Sequence, residues 1–213
     1  MKTVLVTGGR RRIGAAIAEA LRSLGFEVAV TSRTGLDGSI KADFSRKGEA
    51  ARIAKSFPRG VWGLVNNASE FSPEPELKAA DARRIHRVNA EAPRELALAL
   101  KPESVVNIID AAVLRPGFEP RTPYEQSKAD LLEETLREAV ELAPDTRVNA
   151  VAPGPVLAPE SNPSHVKGGA TLLKLRPTPA DVAAAVAFLL ASPVLTGQVI
   201  AVDSGQSLLP LDI

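Results

Sequence analysis

Short apolar runs alternate with amphipathic stretches from one end of the chain to the other. Runs of four to seven residues, rich in valine and isoleucine, fall near 2–7, 26–31, 39–42, 61–66, 104–110, 146–152 and 197–202, and they predict strands. The intervals carry apolar residues at helical spacing, as at Ile13, Ile17, Leu21 and Leu24, and predict helices near 13–24, 45–57, 76–100, 122–143 and 179–191. Pro179-Ala180-Asp181 reads as a helix start, because proline suits the first turn. Strands buried on both faces and separated by helical crossovers imply an α/β fold, a doubly wound parallel sheet of seven strands with helices on both faces. Right-handed crossovers then bring the loops that follow the strands to one edge, where such sheets bind ligands. Two stretches fit neither pattern: 114–122, rich in proline and glycine, and 153–176, which contains Gly168-Gly169. Loops of that length in a compact domain are binding loops, lids or simply mobile. The tail 207–213 is apolar for a terminus, and packs on its own domain or against another subunit.

Composition narrows the partners more than the fold. A chain of 213 residues builds one sizeable core, and without repeats or a low-complexity linker residues 1–213 read as one domain. With 26 basic and 25 acidic residues the net charge is +1, so no global field recommends nucleic acid or an anionic membrane. The run Arg10-Arg11-Arg12 is local and lacks interleaved aromatics. There is no cysteine, and His86 and His165 stand far apart, so no metal site is expected. The N-terminus enters a strand without a charged leader, and no apolar run reaches membrane-spanning length, which points to the cytoplasm.

Candidate chemistry begins at the first strand. Lys2-Thr3-Val4-Leu5-Val6-Thr7 runs into Gly8-Gly9-Arg10-Arg11-Arg12-Ile13-Gly14 and then into a helical pattern. Strand, glycine turn and helix start suit a pyrophosphate, since the free amides at the positive end of the helix face the anion. The spacing is not the G-x-G-x-x-G dinucleotide fingerprint. Further along, Tyr124 and Lys128 stand four residues apart, on one face of a helix. A nearby ammonium favours an ionised phenol and would pull its pKa down from about 10 towards the working range. Taken alone such a pair is more often a buried ring beside a solvated lysine.

The turn Thr7 to Gly14 resembles the T-G-x-x-x-G-x-G turn of the short-chain dehydrogenases/reductases, with Arg12 in place of the middle glycine. The resemblance covers nearly the whole chain. Asn66-Asn67-Ala68-Ser69 matches the family's N-N-A-G run except at serine, Asn89 stands at the family's helical asparagine, and Tyr124 and Lys128 at its Y-x-x-x-K. Pro153-Gly154 follows the sixth strand, and Val202-Asp203-Ser204-Gly205 resembles the late V-D-G-G turn. The resemblance implies a Rossmann-type domain that transfers hydride between a nicotinamide and a C=O or C=N carbon. It implies that Tyr124 delivers the proton, Lys128 holds the ribose hydroxyls, and Asn89 positions a water for proton resupply. Gly8, Arg11, Arg12, Ile13, Gly14, Asn67, Ala68, Ser69, Pro153 and Gly154 would then line the cofactor, with Asp43-Phe44 beside the adenine. Ser32-Arg33-Thr34 ends the second strand with no acid to accept from two ribose hydroxyls, and suits a 2′-phosphate, so NADPH is expected over NADH. In the family the helices at 76–100 and 122–143 pair across a symmetric interface, which implies a homotetramer or a dimer.

Asp110 departs from the family, which places a serine there as hydrogen-bond donor to a substrate carbonyl. An ionised carboxylate can only accept. Asp110, Arg12 and Phe71 together resemble the pteridine reductases, in which the arginine lies near cofactor phosphate and substrate, the aromatic stacks on the pterin, and the aspartate works with the tyrosine. A pterin is flat and rich in N–H groups, so a pteridine or dihydrofolate-like substrate explains both oddities, with Arg12, Phe71, Asp110 and Tyr124 around it. Phe71 could instead be a loop aromatic filling a gap. The alternatives are a reductase of ordinary carbonyls such as 3-oxoacyl thioesters, and a nucleotide-binding sensor without turnover.

Overall fold

The structure, a computed structural model, describes residues 1–157 and 171–209. Most of the irregular stretch 153–176, with His165, and the end of the apolar tail lie outside the described residues. The strands are β1 (Thr3–Val6), β2 (Glu27–Ser32), β3 (Ile40–Lys41), β4 (Gly63–Asn66), β5 (Ser104–Ile108), β6 (Arg147–Pro153) and β7 (Val199–Val202). They form one parallel sheet in the order β3-β2-β1-β4-β5-β6-β7. The order reverses between β1 and β4, which opens a crevice beyond their carboxyl ends.

Six helices cover the sheet: α1 (Arg12–Ser23), α2 (Glu49–Lys55), α3 (Ala79–His86), α4 (Ala92–Leu100), α5 (Pro123–Glu141) and α6 (Pro179–Ala191). The alternation of side chains along β1 shows how both faces are built. Val4 and Val6 point to one side and pack with Ile17 and Leu21 of α1 and Val182, Val186 and Leu190 of α6. Leu5 points to the other and packs with Ile53 of α2, Leu96 and Leu100 of α4, and Val105 and Val148. All of these are buried, and each apolar side chain removed from water contributes roughly 1.5–3 kcal/mol.

One expected element is built differently. The helical stretch at 76–100 is not a single helix, because a widened π turn, Arg87–Glu91, separates α3 from α4. Pro93 supplies part of the cause: it has no N–H to give the Asn89 carbonyl four residues earlier, so a regular α-helical ladder cannot run through this point. The expected strand at 39–42 is reduced to Ile40–Lys41 on the sheet edge, and the strand at 104–110 ends at Ile108, which leaves Asp110 outside the sheet.

Candidate active site

Thr7 fixes the crevice between the two strands that flank the switch point. Its hydroxyl accepts from the amides of Asn67 and Ala68, both at 3.0 Å. The Asn67 side-chain Nδ2 donates to the carbonyls of Thr7 at 3.0 Å and Gly8 at 3.2 Å, so the loops after β1 and β4 are tied together. Gly14 must be glycine here: a Cβ would lie 2.4 Å from the Gly8 carbonyl oxygen and 2.6 Å from Asn67 Nδ2. Arg12 holds a positive φ of 54°, a conformation glycine adopts without a Cβ penalty and one that costs an ordinary residue about 1 kcal/mol. An arginine kept at a strained position points to a role for its guanidinium.

The crevice is a cavity of about 660 Å³. Gly8, Arg11, Arg12, Ile13, Gly14, Ser32, Arg33, Thr34, Asp43, Phe44, Asn67, Ala68 and Ser69, all expected at the cofactor, share its wall. Pro153 and Gly154 do not line this wall; Gly154 lines a second cavity with Asp110, and a Cβ on it would lie 2.9 Å from Asp203 of the turn after β7. Asp43 is on the wall, but its carboxylate accepts from the Ser45 hydroxyl at 2.6 Å and pairs with Arg46 at 3.2 Å, which hold it below the usual carboxylate range. Its side chain therefore shapes its own loop. Arg10, Arg84 and Glu70, not singled out from sequence, also line the cavity; Arg10 binds Asp37 at 2.6 Å and Arg84 binds Glu70 at 2.6 Å. The Arg10 to Arg12 run was visible, but the partner Asp37 is brought in only by the turn after β2.

These residues fit a phosphorylated dinucleotide. The glycine turn admits close approach, Arg11, Arg12 and Arg33 bring positive charge, and the two acids on the wall, Asp43 and Glu70, have cationic partners of their own. Among the described residues no carboxylate stands at Ser32 to Thr34, and the Ser32 hydroxyl accepts from the Gly35 amide at 2.9 Å.

Tyr124 sits in the first turn of α5 because Thr122 caps that helix, accepting from Glu125 N at 3.1 Å while Glu125 accepts from Thr122 N, also at 3.1 Å. Its hydroxyl donates to Asp110 Oδ2 at 3.0 Å. The other carboxylate oxygen, Oδ1, accepts from Ala112 N at 2.9 Å and caps the 3-10 turn Ala111–Leu114. Phe71 meets the Tyr124 ring edge to face at 4.9 Å between centroids and is 58% exposed. It therefore offers a free flank beside the phenol rather than filling a gap.

The expected tuning of Tyr124 by Lys128 is not what this arrangement gives. Burial pushes the phenol well above its ordinary range, and the Asp110 charge and hydrogen bond push it in the same direction. Lys128 Nζ lies 5.8 Å from the Tyr124 ring centre and donates to the Ile108 carbonyl at 2.8 Å. Burial lowers the Lys128 ammonium to about 8, against the opposing pull of Asp110. Tyr124 is thus held as a protonated phenol that donates to Asp110, not as an ionised one.

Asn89 stands in the π turn with its side chain fully occupied. Its amide donates to the Glu70 carbonyl at 2.9 Å and Ser127 Oγ at 3.0 Å, and its oxygen accepts from Glu70 N at 2.8 Å and the Ser69 hydroxyl at 3.2 Å. It fixes the loop that carries Ser69 and Phe71 to the helix that carries Tyr124. No group of three metal-ligating side chains occurs among the described residues, and no helix there is long and apolar enough to cross a membrane.

Comparison with known proteins gives a consistent set of relatives. The family described as enoyl-(acyl carrier protein) reductase matches residues 8–207. A dihydromonapterin reductase of Enterobacter sp. (strain 638) is 30% identical over 97% of both chains. Alternative dihydrofolate reductase 1 (FolM) of Brucella canis, solved with NADP, superposes with a TM-score of 0.89 at 33% identity, over 100% of this chain and 97% of that one. A short-chain dehydrogenase/reductase of the glucose/ribitol dehydrogenase type from Brucella melitensis superposes with a TM-score of 0.85 at 28% identity, over 96% of each chain.

Proposed function

Because the chain belongs to the short-chain dehydrogenase/reductase family, we propose that it is an NADPH-dependent reductase of pteridines of the dihydropterin or dihydrofolate type, folded as one domain. The observation that carries this reading is the contact between Tyr124 and Asp110 beside the exposed ring of Phe71. When bound, NADPH supplies the hydride. Tyr124 holds the proton for the substrate nitrogen, and Asp110 both keeps the phenol protonated and accepts from N–H groups of the heterocycle. Phe71 offers a face on which a flat ring stacks. A developing oxyanion of an ordinary ketone would instead meet a carboxylate, which repels it. Lys128 holds ribose hydroxyls, and Arg12 faces phosphate and substrate from the glycine turn. For Asn89, whose side chain is occupied, the main-chain carbonyl left without an N–H by Pro93 is the group that holds a water. Cytoplasmic location and assembly as a dimer or tetramer belong to the same proposal. The first rests on the demand for NADPH, and the second on Leu98 of α4 and Val140 of α5, exposed by 44% and 80%.

The test measures kcat/KM with NADPH for dihydrobiopterin and for an acetoacetyl thioester, in the wild type and in Asp110→Ser. Serine can still cap the 3-10 turn, so the change reports on what the carboxylate does for Tyr124 and the substrate rather than on that turn. Pterin turnover is expected to fall by about ten- to a hundredfold, as for loss of a hydrogen bond to a charged group, while ketone turnover rises. If both rise together, the carboxylate is only an impediment and the pteridine reading fails. Binding of NADPH without turnover of either substrate would leave the sensor.

A further inference from the structure

Asp110 borders a second cavity, of about 310 Å³. Its wall carries two guanidiniums, Arg115 at the end of the 3-10 turn and Arg121 just before α5, and three carboxylates, Asp110, Glu119 and Glu125. Two of the carboxylates serve other groups, and Glu119 is exposed. Asp110 is held by Tyr124 and Ala112, and Glu125 accepts from the amides of Arg121 at 2.7 Å and Thr122 at 3.1 Å. Among the described residues neither Arg115 nor Arg121 forms an ion pair; Arg121 is exposed, whereas Arg115 Nε is buried without a hydrogen-bond acceptor. A charged donor withdrawn from water is costly until an acceptor meets it, and a guanidinium is shaped for a carboxylate. Phe118 stands on the same wall and offers an aromatic face.

We infer that this cavity receives the side chain of the substrate, and that Arg115 and Arg121 select a pterin whose tail ends in carboxylates over one with a neutral polyol tail. The inference rests on the pteridine reading above. A heterocycle held by Asp110 would direct its substituent into the cavity that Asp110 borders. A folate tail, an arylamide followed by a dicarboxylate, supplies a ring for Phe118 and oxygens for the two arginines.

The experiment compares kcat/KM for dihydrofolate and dihydrobiopterin at saturating NADPH in the wild type, Arg115→Gln, Arg121→Gln and Arg115→Lys, each ratio being internal to one protein. The wild type is expected to favour dihydrofolate by roughly ten- to a hundredfold, mainly through KM. Each glutamine variant should lower that ratio by about tenfold, and the lysine variant should retain most of it. Raising ionic strength should shrink the wild-type ratio as well, which needs no variant to fold. A wild type without preference, or a ratio unmoved by both glutamine variants, overturns the inference while leaving the pteridine reading standing. If neither pterin is reduced, the pteridine reading itself fails and this selection falls with it.

Discussion

Lys128 carries its charge in a place that opposes charge. It is 3% exposed, and burial brings its ammonium down to about 8 from an ordinary 10.5. Between those two values the unfolded chain binds more protons than the folded one, so stability rises with pH across that window, and below about 8 the full cost is present. At roughly 1.4 kcal/mol per pKa unit the cost is about 3 kcal/mol. Lys128→Met keeps the length and removes the charge, at the loss of the bond to the Ile108 carbonyl, about 1 kcal/mol. The variant is expected to be inactive yet more resistant to urea at pH 7 by about 1–2 kcal/mol, with the gain disappearing towards pH 10. A less stable variant at pH 7 would mean that the bond to Ile108 outweighs the burial of charge. Stability given up at a lysine suits the ribose-holding role proposed for Lys128, and the same physics explains why the sequence misled about Tyr124. Spacing placed an ammonium near a phenol, but burial and Asp110 act more strongly on that phenol, and neither is visible in a helical repeat.

At the scale of elements, helix ends show which local choices the sequence makes plain. Thr122 with Glu125 and Thr178 with Asp181 are reciprocal caps directly before a proline, and the starts of α5 and α6 fall where the pattern places them. The other end of α4 is less favourable: Lys101 closes it with φ 48° and ψ 55°, a left-handed conformation that glycine adopts more readily. Lys101→Gly should raise the unfolding free energy by about 0.5–1 kcal/mol, measured by urea denaturation, and no change would mean that the entropy of glycine in the unfolded chain cancels the relief. The π turn around Asn89 was not legible, although Pro93 was in view. A proline one turn into a helix is ordinary, and what widens this turn is tertiary, because the Asn89 side chain is drawn to Glu70 and Ser127. The buried chain from Asn66 to Asn107 at 2.8 Å and on to Thr135 at 2.9 Å was equally hidden, since asparagines inside apolar runs read as interruptions until the strands are paired. Arg115 and Arg121 do not stand out in the sequence for a similar reason. Their shared cavity exists only once the 3-10 turn and the start of α5 are set side by side.

The whole molecule is arranged around the switch point between β1 and β4, where the loops of both strands and of β2 meet one crevice. A ligand held by that many elements stabilises them together, by RT ln(1 + [L]/Kd) for binding to the folded state alone. Unfolding therefore reads cofactor preference without any assumption about the substrate. Arg33 lines the crevice next to Ser32 and Thr34, and a charge-assisted contact from it to a 2′-phosphate is worth roughly 1.5–3 kcal/mol, about ten- to over a hundredfold in affinity. At equal saturating concentrations NADPH should then add about 1.5–3 kcal/mol more stability than NADH. For a chain of this size that is roughly 3–12 °C in Tm. Arg33→Asp replaces the phosphate contact with a repulsion and an acceptor suited to free ribose hydroxyls, so the order of the two shifts should reverse or vanish. Equal shifts in the wild type would remove Arg33 as the reader of the phosphate. Arg10 could not take its place without giving up Asp37, which it holds at 2.6 Å. The phosphate would then have to be read from the glycine turn, where Arg11 and Arg12 line the same wall, and the corresponding substitutions there would carry the preference instead.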